Sequence, residues 1–166
     1  MDTTGFFAYP TLPATDQAPT DPAEAAATAA DAGAAPAELL PGLREADWGA
    51  LLAAAETLRF APGDRVIRAG DDDRTLYLLL DGRLVAGATT VAAPALAGEV
   101  GFLDGRPRAV DVLAVGHAEV ARLSWDAFAA LAARDPRLGR AVLVGLAGAL
   151  AARLRAAGAA LPGWTG

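Results

Sequence analysis

The stretch Gly98-Glu99-Val100-Gly101-Phe102-Leu103-Asp104-Gly105-Arg106-Pro107-Arg108-Ala109-Val110 decides how this chain reads. It is short and punctuated by glycine, and an apolar turn separates a carboxylate from a guanidinium. Gly98 to Leu103 can form one helical turn. The first N–H groups of such a turn have no acceptor within it, so they can face an anion with the helix dipole assisting. Arg108 adds a planar, permanently charged fork suited to phosphate oxygens. Glu99 carries no proton at neutral pH and accepts hydrogen bonds only, which suits a sugar hydroxyl. Together they can hold a phosphate and a nearby hydroxyl.

These residues resemble the phosphate-binding cassette of cyclic nucleotide-binding domains: a Gly-Glu pair, an apolar turn, a glycine-containing loop, then Pro-Arg and small residues. The spacing from Glu99 to Arg108 matches without a gap. By that resemblance Glu99 binds the ribose 2′-hydroxyl and Arg108 the cyclic phosphate. Gly98, Val100, Ala109 and Val110 complete the candidate site, Ala109 offering only its backbone. The resemblance runs from about Leu39 to Arg155. Leu40-Pro41-Gly42-Leu43 looks like the family's opening helix. Phe60-Ala61-Pro62-Gly63-Asp64 and Val66-Ile67-Arg68-Ala69-Gly70-Asp71 look like its first strands and turn. Leu76 to Val85 looks like its central hairpin. The cassette together with the paired glycine turns is a strong signal, whereas one glycine motif alone is weak.

Around this centre, 166 residues allow one domain and a tail. There is no Cys, so no disulfide framework or thiolate chemistry is available, which fits a reducing cytoplasm. No basic n-region with an apolar core opens the sequence. All 14 basic residues are Arg, a GC-rich codon signature to which no function attaches. The net charge of −6 is unevenly placed. Asp2, Asp16, Asp21, Glu24, Asp31 and Glu38 lie in an N-terminal arm without a base, and the remainder is neutral. A basic face for nucleic acid is therefore missing, and no helix-turn-helix follows the resembling segment, so no DNA partner is expected.

Residues 1–38 are rich in Ala, Pro and Asp and read as a disordered arm. At its tip Gly5-Phe6-Phe7-Ala8-Tyr9-Pro10 could dock in a partner groove or fold back on the domain. Residues 39–158 form the expected domain and 159–166 a C-terminal tail. Glu45 to Leu58 has apolar residues at helical spacing and reads as a helix. Asp71-Asp72-Asp73 is an acidic loop. Leu76 to Leu80 is an apolar run, and Asp81-Gly82 between it and Arg83-Leu84-Val85 predicts a hairpin. Short strands are expected at Thr89–Val91, Ala109–Val115 and Ala118–Leu123. The expected fold is mainly β with flanking helices: a jelly-roll-like β barrel, one helix before it and helices after it. Ser124 caps a helix through Trp125, Phe128 and Leu131. Asp135-Pro136 starts the last one. Its stretch Ala141–Ala152 is apolar on every side. At twelve residues it is too short to span a membrane, so a second face near Val144, Ala147 and Ala151 is free for a partner or a second copy.

Alternation places Asp111 on the face of Ala109, where its charge would oppose a phosphate. Arg106 reads as a solvated loop residue. His117, the single histidine, reads as exposed in a hairpin turn. One histidine without cysteine argues against a cupin-type metal centre, and the absence of lysine excludes a P-loop. No nucleophile lies in a G-x-S-x-G setting. The chain reads as a binder of a cyclic nucleotide, cyclic AMP favoured, that signals to a partner protein. A ligand-free docking module on the same fold is the alternative.

Overall fold

A computed structural model describes residues 39–159. The arm at 1–38, with the aromatic tip Phe6 to Tyr9, lies outside the described residues, as does the tail beyond Ala159. The elements are α1 (Glu45–Ala53), β1 (Glu56–Phe60), β2 (Arg65–Ile67), β3 (Thr75–Asp81), β4 (Arg83–Ala86), β5 (Thr89–Ala92), β6 (Ala95–Ala97), α2 (Glu99–Asp104), β7 (Val112–Ala114), β8 (Ala118–Ser124), α3 (Trp125–Arg134) and α4 (Pro136–Ala159). The strands form two antiparallel four-stranded sheets, ordered β1-β8-β3-β6 and β2-β7-β4-β5. The expected barrel is thus two facing sheets that do not close on each other. Edge strands of three to five residues are too short to carry a ladder around both rims.

The apolar run at Leu76–Leu80 is explained by a strand covered on both faces. Leu76 and Leu78 join Ala121 and Leu123 of β8 in a core against the helices, with Phe102, Phe128, Leu138, Val142 and Leu146. Tyr77 and Leu79 point the other way, into the layer between the sheets with Val66, Ile67, Leu84, Val112 and Val120. Period-two alternation therefore sends neighbouring apolar residues into two different cores.

Three expectations are corrected. The helix starting at Glu45 ends at Ala53, and Glu56–Phe60 is a strand paired with β8, Leu58 opposite Val120. Pairing with a central strand overrides the helical spacing that runs on to Leu58. Leu40-Pro41-Gly42-Leu43 is a turn, with Gly42 at φ 95° and Leu43 N–H donating to the Leu40 carbonyl. Asp81-Gly82 is a corner and not a hairpin: β3 and β4 belong to different sheets. The hairpin is β4–β5, closed by Gly87-Ala88 with Ala86 opposite Thr89. Gly116-His117 likewise joins β7 to β8 across the two sheets, and His117 is exposed. These two corners meet. Gly82 has φ 90°, and a Cβ there would lie 2.3 Å from the His117 carbonyl oxygen.

The helix caps follow the sequence. Ser124 Oγ accepts from Ala127 N–H at 3.2 Å, and Asp135 Oδ1 from Leu138 N–H at 2.9 Å. Buried Asp47 ties the first helix to the last, accepting from the Arg44 side chain and from Arg137. Hydrogen bonds from the Arg44 side chain, then from Arg137, hold its carboxyl well below the usual carboxylate range. The apolar stretch Ala141–Ala152 lies inside a 24-residue helix. Residues 136–158 are long and apolar enough to cross a membrane by length and composition. Yet Leu138, Val142 and Leu146 are wholly buried in the core, while Val144 and Leu154 are exposed.

Gly82→Ala is expected to destabilise the domain by about 1–3 kcal/mol, since it combines left-handed backbone strain with a clash against backbone. Urea denaturation measures this, and Gly63→Ala, where no atom lies within 4 Å, should cost less.

Candidate functional site

The central strands lead into the cassette through β6, which pairs with β3, Tyr77 opposite Ala97. Gly98 then turns the chain at φ 77° and caps α2. This position needs glycine for space as well: a Cβ would lie 2.7 Å from Arg108 Nη1 and 3.0 Å from the Thr75 carbonyl oxygen. The six-residue helix is anchored by Phe102, wholly buried and edge-on to Trp125 and Phe128. Arg74 finishes its far end. Its guanidinium donates to the carbonyls of Phe102 (2.9 Å) and Leu103 (3.1 Å), and stacks 3.4 Å above the Trp125 ring. It thereby satisfies carbonyls that a helix end leaves free.

Arg108 lies buried beneath this helix, its side chain 3% exposed. Its Nε donates to Asp73 Oδ1 at 2.9 Å and its Nη2 to Asp73 Oδ2 at 3.2 Å. Nη2 also donates to the Thr75 carbonyl at 2.6 Å, and Nη1 to the Gly98 carbonyl at 2.7 Å. Four of the five guanidinium N–H groups are thus used within the described residues. The backbone repeats the clasp: Arg108 N–H donates to the Asp71 carbonyl at 2.7 Å, and Gly70 N–H to the Arg108 carbonyl at 2.8 Å. The acidic loop is therefore the seat of Arg108. Burial alone would raise the Asp73 carboxyl, but hydrogen bonds from Arg108 and Thr75 and the Arg108 charge outweigh it, leaving it below its ordinary value. Tyr77 donates to Asp73 at 3.3 Å, and burial, then the Asp73 charge, pushes its hydroxyl up to about 12.

Glu99, the first residue of α2, is buried as well. Its partner is Arg153 of α4, whose Nη1 donates to Glu99 Oε1 and whose Nη2 donates to the Leu96 carbonyl at 3.2 Å. Val100, Ala109 and Val110 are exposed around these two groups in sequence. Arg106 is exposed too. Asp111 corrects an expectation. Residues 109–110 bend, and β7 starts only at Val112, so strand alternation does not extend back to Ala109. The Asp111 carboxylate accepts from Ala69 N–H at 2.7 Å and pairs with Arg65 at 3.6 Å. Its charge is engaged by the β2 side of the fold.

Sequence reasoning missed Asp73, Thr75 and Arg153. Asp73 stood in view as part of an acidic loop, but its partner lies 35 positions away. Thr75 contributes a carbonyl, which no side-chain pattern reveals. Arg153 lies 54 positions from Glu99.

Residues 57–135 match a family model described as the cyclic nucleotide-binding domain. The cAMP-dependent protein kinase regulatory subunit of Emericella nidulans is 32% identical over 97 residues, 54% of this chain and 24% of that protein. The chain thus spans about a quarter of the length of this curated relative. A solved cyclic nucleotide-binding domain from Methylobacillus flagellatus superposes with a TM-score of 0.67 at 26% identity, covering 78% of this chain and 84% of that one. The catabolite activator protein of Thermus thermophilus gives 0.63 at 27% identity, over 72% of this chain and 59% of that one.

Asp73→Asn is expected to destabilise the domain at neutral pH by about 1–2 kcal/mol, a charged hydrogen-bond loss reduced by the partial exposure of Asp73. A lowered folded pKa contributes stability that is present above the unfolded carboxylate value and lost as pH falls through the folded one. Denaturation of the two proteins against pH should therefore show a gap that is constant near neutrality and narrows below about pH 4.

Proposed function

We propose, from the match of residues 57–135 to the cyclic nucleotide-binding domain model, that this chain is a regulatory sensor that reversibly binds a cyclic nucleotide, cyclic AMP first. The reading is carried by one observation: Arg108 is drawn under a glycine-cornered helical turn that begins with Glu99, and is held there by Asp73. Arg108 meets the cyclic phosphate, helped by the backbone of Gly98, Val100, Ala109 and Val110. Glu99 accepts from the ribose 2′-hydroxyl. Ala109 has no hydroxyl to offer a guanine, which favours adenine. The activity is binding and not catalysis, in the cytoplasm. The kinase regulatory subunit from Emericella nidulans, named for cAMP dependence, supports the ligand class.

Output runs through α4 to another protein. Its exposed Val144, Ala147 and Leu154, with half-buried Ala151, form a surface for a partner or a second copy of the chain. One observation favours a second reading, a ligand-free docking module: Arg108 and Glu99 are both buried and already satisfied by protein partners. Calorimetry with cyclic AMP and cyclic GMP separates the two.

Loss of one partner from a desolvated charge contact costs about 2–5 kcal/mol, and about 1.4 kcal/mol is tenfold. Arg108→Ala should therefore weaken cyclic AMP binding by more than about tenfold, with circular dichroism checking that the clasped cassette remains folded. Glu99→Ala should cost less, and its cost should shrink for 2′-deoxy cyclic AMP. Arg106→Ala should leave affinity nearly unchanged. Equal losses from Arg106→Ala and Arg108→Ala would show diffuse attraction in place of a fork.

A further inference from the structure

We propose that an apolar groove beside α1 is the seat of the chain's own aromatic tip, Gly5-Phe6-Phe7-Ala8-Tyr9-Pro10. Trp48 and Leu52 line the groove from α1, Leu78 and Leu80 from β3, and Pro94 from the link between β5 and β6. Glu45 is the one charged side chain among the described lining residues. Trp48 is half-buried, and Leu52 and Leu80 are 37% and 38% exposed. Large apolar side chains that converge on a concavity and stay partly open mark a docking surface. An apolar cavity of about 150 Å³ holds one benzene ring. This groove encloses about 480 Å³, so it has room for more than one aromatic side chain. The cassette contributes nothing to its lining, and the proposal is independent of what the cassette binds.

Leu39 points to the occupant. It lines the groove and is the first described residue, so the arm at 1–38 departs from the groove itself. Residues 10–38 are the tether between that point and the tip. A tethered segment meets its site at high effective concentration, so a modest affinity is enough to fill it. Composition then selects the tip from the rest of the arm. Besides Met1, the large aliphatic and aromatic side chains of residues 1–38 are Phe6, Phe7, Tyr9 and Leu12. No charge falls between Asp2 and Asp16, whereas residues 16–38 carry five acids and no base and would meet Glu45 with like charge. Pro10 biases Tyr9 toward extended backbone, and in an extended segment Phe7 and Tyr9 project to one side. Tyr9 also carries a hydroxyl that can stay at the wet mouth of the groove. The tail beyond Ala159 offers a single aromatic, Trp164, which fills less of the space.

The test uses the full chain. It has no Cys, so Ala8→Cys takes a nitroxide label at one site only. Amide NMR should show signal loss at Trp48, Leu52 and Leu80 that is unchanged on dilution and reversed when the nitroxide is reduced. Adding Phe7→Ser and Tyr9→Ser should restore these signals; both positions lie outside the described domain, so its fold is not at stake. Leu52→Asp, on the exposed side of α1, should restore the signals of Trp48 and Leu80 as well. Trp164→Ser should leave the loss in place. Loss that persists in the Phe7→Ser/Tyr9→Ser or the Leu52→Asp protein reflects the tether alone and overturns the proposal. Loss centred on other residues, or none, overturns it too. Restoration by Trp164→Ser would assign the groove to the tail in its place. Signal loss passed from labelled chains to unlabelled chains in a mixture would show a second copy's tip in the groove and overturn seating within one chain.

Discussion

A guanidinium placed under a six-residue helix must find acceptors within reach or leave its charge stranded, and the cassette is organised around how Arg108 meets that demand. Asp73 supplies two oxygens, and the Thr75 and Gly98 carbonyls supply two more. These acceptors come from the acidic loop, from the start of β3 and from the cap of α2. One side chain therefore joins two segments that are far apart in sequence, Asp73–Thr75 and the Gly98 cap. Without the carboxylate the desolvated charge would lose its principal compensation, and without glycine at 98 the guanidinium would have no passage. The proposed anion-binding chemistry and the local fold thus draw on the same atoms.

Around that clasp the structure divides its apolar material into two layers through the central strands. β3 and β8 face the helices with one set of residues and the second sheet with the other. The helix-side layer holds Phe102 of α2 together with Leu138, Val142 and Leu146 of α4. The cassette helix and the last helix therefore rest on a common core, and a shift of either is felt by the other through packing. The Glu99–Arg153 pair adds a second, polar connection between them. Packing and charge differ in what they permit. Buried leucines resist movement, whereas a half-exposed arginine can exchange its partner for water at modest cost.

The sequence by itself determined the local features. Glycine-punctuated spacing from Glu99 to Arg108 marked the cassette. Ser124 and Asp135 marked the starts of α3 and α4, because a cap acts within three residues. The apolar run at β3 marked a buried strand. Tertiary structure decided what depends on partners distant along the chain. Asp81-Gly82 has the residues of a hairpin turn, yet it sends the chain from one sheet to the other, since β3 pairs with β8 and β4 with β7 in separate sheets. Leu58 fits a helical stripe, yet pairing with Val120 makes it strand. Asp111 resembles a charge facing the ligand, yet the Ala69 amide and Arg65 engage it. Asp73 and Arg153 are charges like any others in the sequence until the sheets and the last helix bring them to Arg108 and Glu99. Spacing is encoded over a few residues, but the choice of an ion-pair partner is a contest among all charges that the fold brings within a few ångströms.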